Sequence, residues 1–134
     1  MPTIVLPPKK KRSVKERGYK PTERAAMASN LYNTEMWRRL RKSCLMETPE
    51  CVMCTLFDRV KLADCVHHID EISKADNPLE AKDRAFDSNN LISLCSDCHN
   101  RIHAIIRHGA KTKEDKEFIT KYNDYVRKRR METY

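Results

Sequence analysis

Apolar residues recur along this chain at helical spacing in several places and in short unbroken or alternating runs between them. Trp37, Leu40 and Cys44 stand at i, i+3 and i+7, which leaves Arg38, Arg39 and Arg41 largely on other faces. Thr34 precedes them as a candidate N-cap, Glu35 lies in the first turn and Pro49 ends the pattern, so a helix is predicted between Thr34 and Pro49. Its tryptophan is expected to anchor a core rather than to stack on a base. A weaker helix is predicted over Pro21–Tyr32, through Ala25, Ala26, Ala28 and Leu31. Ile102, Ile105 and Ile106 belong to a helix capped by Ser96 and stopped at Gly109. A last helix runs from Thr112 to about Arg130, with Phe118, Ile119, Tyr122, Tyr125 and Val126 as its stripe. Partial alternation at Val60, Leu62 and Val66 predicts a hairpin ending at Ile69 and turning between Leu56 and Ala63, and Leu91–Leu94 is a short apolar run. The polar stretch Asp70–Asn89 reads as a loop insertion, with a turn at Asn77-Pro78, a short helix around Leu79–Arg84 and Phe86 as an apolar plug.

Composition narrows what this pattern can build. The 134 residues suit one domain, and an apolar fraction of 40% is low for a large core, so a metal staple would help the chain fold. No apolar run approaches the ~20 residues of a membrane span and no signal peptide is legible, which predicts a cytoplasmic protein that does not associate with membranes. The net charge of +8 is uneven: residues 1–42 carry +9, residues 43–110 carry −4 and residues 111–134 carry +3. Basic ends around an acidic middle suit a polyanion, nucleic acid first. Residues 1–20, with Lys9, Lys10, Lys11 and Arg12, read as a flexible basic arm, residues 21–110 as the central domain and residues 111–134 as a basic amphipathic helix.

Six cysteines in a reducing compartment are expected to be ligands or buried thiols. Four of them form two Cys-x-x-Cys knuckles, Cys51 with Cys54 and Cys95 with Cys98, which together satisfy a tetrahedral structural Zn²⁺. Such a closed site has no open coordination position. Cys44 and Cys65 lack a partner at ligand spacing and are expected to be ordinary buried thiols. The histidines form a second set. His99 and His103 are i, i+4 on the predicted helix and can share one ion. His67 or His68 would supply a third ligand, but neighbours on a strand point to opposite sides, so one ligates while the other addresses a different atom. An ion with open positions and a base beside it is what metal-assisted hydrolysis needs.

The run Val66-His67-His68-Ile69, followed by Asn90, the second knuckle, His99 and His103, resembles the His-Asn-His (HNH) endonuclease motif in its zinc-containing subgroup. The segment around Tyr32 to Arg41, followed by Pro49 and the first knuckle, is similar to small phage and prophage HNH nucleases. The resemblance implies an α+β fold, a zinc-stapled ββα-metal core with flanking N- and C-terminal helices. It implies that His68 is the general base and that Asn90 holds the hairpin backbone so that His68 keeps its orientation. It further implies that His67 and His99 hold a catalytic divalent ion, with His103 as third ligand by likeness to the nuclease domains of bacterial DNase toxins. Many members have Asp-His where His67-His68 stands here, and an imidazole-rich site favours Zn²⁺, Ni²⁺ or Mn²⁺ more than a carboxylate site would, with Mg²⁺ the remaining candidate. Many also have a proline soon after the base, where Asp70-Glu71 follow here.

The function expected is therefore metal-dependent hydrolysis of DNA phosphodiester bonds, with the alternative of a non-catalytic zinc module that binds nucleic acid. Arg101 and Arg107 are candidate phosphate contacts beside the basic arm. Likeness to phage proteins suggests a link to genome packaging beside a terminase.

Overall fold

The computed structural model of the protein describes residues 21–132. The basic arm, with Lys9, Lys10, Lys11 and Arg12, and the last two residues of the predicted C-terminal segment lie outside them. The elements run α1 (Pro21–Tyr32), α2 (Glu35–Glu47), α3 (Val52–Leu56), β1 (Cys65–His68), α4 (Pro78–Phe86), β2 (Leu91–Leu94), α5 (Ser96–His108) and α6 (Lys113–Glu132). No helix among the described residues is long and apolar enough to cross a membrane.

Strands β1 and β2 pair antiparallel, with Cys65 opposite Leu94 and His68 opposite Leu91. The ladder extends through Asp64 N–H to Leu94 O at 3.1 Å and Ile69 N–H to Asn90 O at 2.9 Å. Helix α5 follows β2 directly, which completes a ββα unit. All four residues of β2 are buried, so its run of apolar residues, with Ser93 the one polar position, reflects burial on both faces.

This pairing corrects the predicted hairpin. The chain does turn after α3, at Asp58 with φ 58°, and Glu50 then bridges Leu62. But β1 pairs with β2 across residues 69–90, and Val60 and Leu62 are 83% and 73% exposed. Their alternation reflected the knuckle bridge, not a buried strand. Within the intervening polar stretch, Asn77 caps α4 by accepting from Glu80 N–H, with Pro78 in its first turn. Ile72, Ala75, Ala81 and Ala85 form a small core there, against Met27, Ala28 and Leu31 of α1 and with Phe86 packed at its side. The main core joins Met53, Ile92, Leu94, Ile102 and Ile105 to Phe118, Tyr122 and Val126 of α6.

Caps account for the helix ends. Gly109 stops α5 at φ 80°, donating to Ile105 O at 2.8 Å, a conformation that disfavours side chains with a Cβ. The cap of α5 is Cys95, one residue before the predicted Ser96, whose hydroxyl instead donates to Asp64 Oδ2 at 2.7 Å. Thr34 behaves as predicted, and its hydroxyl does two things: it accepts from Trp37 N–H at 3.2 Å and donates to Leu31 O at 2.7 Å. One side chain thus ties the end of α1 to the start of α2. Thr34→Ala should cost ~1 kcal/mol in urea denaturation, the usual cost of losing a cap; an unchanged midpoint would show that the α1–α2 junction is held by other contacts.

Candidate metal centre and hydrolytic site

Each cysteine knuckle sits at a helix N-terminus. Cys51 caps α3 and Cys95 caps α5, where the helix dipole favours thiolates. Cys51, Cys54, Cys95 and Cys98 bring their sulfurs within 4.8 Å of one another. Cys54 Sγ lies 3.8 Å from Cys95 Sγ and 3.7 Å from Cys98 Sγ. Four thiolates on a tetrahedral zinc stand ~3.8 Å apart, so this geometry fits the ion. The protonation pattern points the same way. Burial and the neighbouring Cys51 push Cys54 up to about 11, and burial also raises Cys98. Burial would raise Cys95 too, but hydrogen bonds from Cys98 outweigh it and draw this thiol down. Holding Cys54 and Cys98 as thiolates near neutral pH would therefore call for a cation beside them. Cys44 and Cys65 stand apart, against Ser93 Oγ at 3.4 Å and Ser96 Oγ at 3.6 Å.

The pleat of β1 sends its two histidines to opposite faces. His67, 1% exposed, meets His99 and His103 of α5, and one ring nitrogen from each lies within 4.8 Å of the others. His99 Nε2 and His103 Nε2 are 3.1 Å apart, close to the ~3.3 Å between two nitrogens on a tetrahedral ion. Burial, then His103, His99 and His68, hold His67 at about 3, and burial with His103 lowers His99, so both rings are neutral and able to ligate near pH 7. Three imidazoles with further coordination positions differ in kind from the closed cysteine site.

His68 faces the other way. Its Nε2 lies 3.2 Å from the carbonyl oxygen of Ala85. A carbonyl only accepts, so Nε2 carries the hydrogen and Nδ1 presents a lone pair. Trp37 stacks on the ring at 4.8 Å between centroids and 29° between planes, and the Tyr32 hydroxyl lies 3.5 Å from Nδ1. Burial lowers the pKa of His68, partly offset by the Ala85 bond. Asn90 stitches the adjoining backbone: its Oδ1 accepts from Asp70 N–H at 2.7 Å, and its Nδ2 donates to Asp70 O at 3.1 Å and Arg84 O at 2.9 Å. The four histidines open onto a cleft of about 680 Å³, which Tyr32, Arg41, Glu71 and Arg107 also line.

Arg107 lines this cleft with the histidines, while Arg101 does not. Arg101 pairs with Asp115 through Nε and Nη2 at 3.1 and 3.0 Å and covers the Phe118 ring. The basic last turn of α6 is also engaged inside the protein. Arg129 donates to Ser88 O at 3.0 Å and to Leu91 O, and Arg130 pairs with Asp70 at 2.8 Å. Glu71, which the sequence suggested as a solvated loop acid more readily than as a neighbour of the ion, brings its Oε1 to 3.7 Å from His103 Nδ1. Three further neighbours of the histidines were not legible as site residues: Tyr32, Arg41 and Tyr122, whose hydroxyl is 2.9 Å from His67 Nε2. A hydroxyl on the buried stripe of α6 was the one available signal, since a buried phenol needs a polar partner.

The cysteine clamp, the histidine trio and Asn90 all fall within residues 51–104, the segment that matches the family model for HNH endonuclease. Over that segment the chain is similar to HNH endonucleases. Among solved structures, a manganese-containing HNH endonuclease of the deep-sea thermophilic bacteriophage GVE2 is similar to the protein, with TM-score 0.56 and 29% identity over 66% of this chain and 91% of that one. No curated protein matches the chain. The α+β class with an HNH ββα unit, implied by the motifs, is thus the observed fold.

Burying neutral imidazoles has a consequence for stability. In the unfolded chain each histidine titrates near 6.5, whereas folded His67 holds its proton only near pH 3, and His68 and His99 are also lowered. On acidification the unfolded chain takes up protons that the folded chain refuses. The stability is fully present above ~6.5 and is lost as pH falls towards the folded values, by up to ~1.4 kcal/mol per pH unit for His67. Thermal melts should shift down from about pH 7.5 to about pH 5; a melting temperature that rises on acidification would contradict neutral burial.

Proposed function

We propose that the protein is a metal-dependent DNA endonuclease in which His68 is the general base. The observation that carries this reading is the division of the adjacent pair, with His67 turned into the imidazole trio and His68 held at Nε2 by the Ala85 carbonyl, its Nδ1 beside the Tyr32 hydroxyl on the cleft wall. Such a base would take a proton from a water molecule attacking a phosphodiester, at an atom kept unprotonated near pH 7 by burial. Trp37 stacking and the Ala85 bond fix the ring, while Asn90 fixes the backbone beside it. Arg41 and Arg107, on the cleft wall, would contact phosphates of the bound strand.

A divalent ion held by His67, His99 and His103 would stabilise the charge that develops on the scissile phosphate and the leaving oxygen. Neutral imidazoles suit Mn²⁺, Ni²⁺ or Zn²⁺, with Mg²⁺ the poorer fit, and the similar phage enzyme contains manganese. Zinc is the ion proposed for the four cysteines, where it would hold α3 against α5 without taking part in hydrolysis. The same likeness supports a phage setting, within which genome packaging is an extension of this proposal.

His68→Ala should reduce plasmid nicking with added Mn²⁺ or Ni²⁺ by ~100-fold or more, with zinc content and circular dichroism unchanged. Cleavage by that variant at the wild-type rate would remove His68 from the chemistry and favour a nucleic-acid-binding role for the fold.

A further inference from the structure

We propose that Tyr122 is a positioning residue for the ion site, holding the His67 ring by Nε2 so that Nδ1 serves the ion. This rests on the reading of His67, His99 and His103 as ligands and adds a component from outside the HNH segment. Tyr122 belongs to α6, beyond residues 51–104, and its hydroxyl reaches back to within 2.9 Å of Nε2. Phe118 and Val126, one turn to either side, are buried in the main core and seat the phenol at this depth. Tyr122 is itself only 5% exposed, so water is a poor substitute partner for its hydroxyl.

The chemistry of a neutral imidazole decides how this bond works. If the phenol donated to Nε2, the ring hydrogen would sit on Nδ1 and neither nitrogen would offer a lone pair to an ion. If Nε2–H donates to the phenolic oxygen, Nδ1 keeps its lone pair. Only the second arrangement allows bond and ion to coexist. The ring has little freedom to turn, because it packs edge-on against His99, His103 and Tyr122. His103 is placed in a parallel way, with Nε2 facing His99 and Nδ1 3.7 Å from Glu71 Oε1. A polar partner on the remote nitrogen orients a ligating imidazole and strengthens it as a donor.

Tyr122→Phe removes the oxygen and keeps the ring that fills the core. Mn²⁺ binding, followed by the paramagnetic resonance of the free ion in protein whose cysteine site is filled with zinc, should weaken by ~10–100-fold in this variant while its zinc content stays the same. Affinities equal to within about twofold would overturn the proposal. A second readout is independent of the variant. In wild-type protein with Zn²⁺ in both sites, imidazole proton–nitrogen correlation spectra should place the His67 hydrogen on Nε2, and a hydrogen on Nδ1 would overturn it as well. A wild-type chain that binds no Mn²⁺ beyond its zinc would sink the ion site itself and the role of Tyr122 with it, an outcome distinct from failure at Tyr122 alone.

Discussion

The pleat of β1, fixed by its pairing with β2, governs where the chemical groups of this protein go. Because Val66, His67 and His68 pair in register with Ser93, Ile92 and Leu91, successive side chains must leave opposite faces. His67 meets α5 and α6 on one side, and His68 meets α1, α2 and α4 on the other. A slip of one residue would exchange them, putting the ring with the Ala85 partner into the imidazole trio. Register here is held at both ends, by the cysteine clamp before β1 and after β2 and by Asn90 across the loop end.

Each face has its own small core, and neither is large. Under α5 and α6 the packing includes the cysteines themselves, so the main core and the thiolate clamp are one structure. The second core consists mostly of alanines and Ile72 against α1. Small residues there let the α4 backbone come close enough for the Ala85 carbonyl to reach His68. In a chain of this size, apolar burial leaves little margin, which makes a metal clamp a natural source of the remaining stability. The polar stretch between the strands is thus more than a connection: it supplies the acceptor that sets the tautomer of His68.

The sequence made legible whatever depends on local spacing. Two Cys-x-x-Cys pairs, an i, i+4 histidine pair, the Thr34 cap and the Gly109 stop each work through neighbours in the chain, and the structure places each of these groups close to where the spacing put it. Long-range pairing was less legible. The β-branched residues after Cys54 suggested a local hairpin, because alternation cannot reveal that the true partner is Leu91–Leu94. Trp37 was read as a core anchor and is buried, yet its core is the ring of His68, a contact visible only once α2 is docked. Tyr122 was one of five apolar-stripe positions, and nothing in a helical period distinguishes the hydroxyl that meets His67. Arginine content likewise overstated the free basic surface, since Arg101 and Arg130 are paired with Asp115 and Asp70.

The proposed division into two metal sites with separate jobs implies that the two can be emptied separately. The most direct measurement is metal content alongside plasmid cleavage during graded dialysis against a chelator. Tetrathiolate zinc, closed and buried, should remain at about one ion per chain while cleavage falls to background, and added Mn²⁺ should restore cleavage without refolding. Cleavage that persists with only the cysteine zinc bound, or that disappears only when that zinc leaves and the chain unfolds, would contradict the division between a structural cysteine site and a working histidine site.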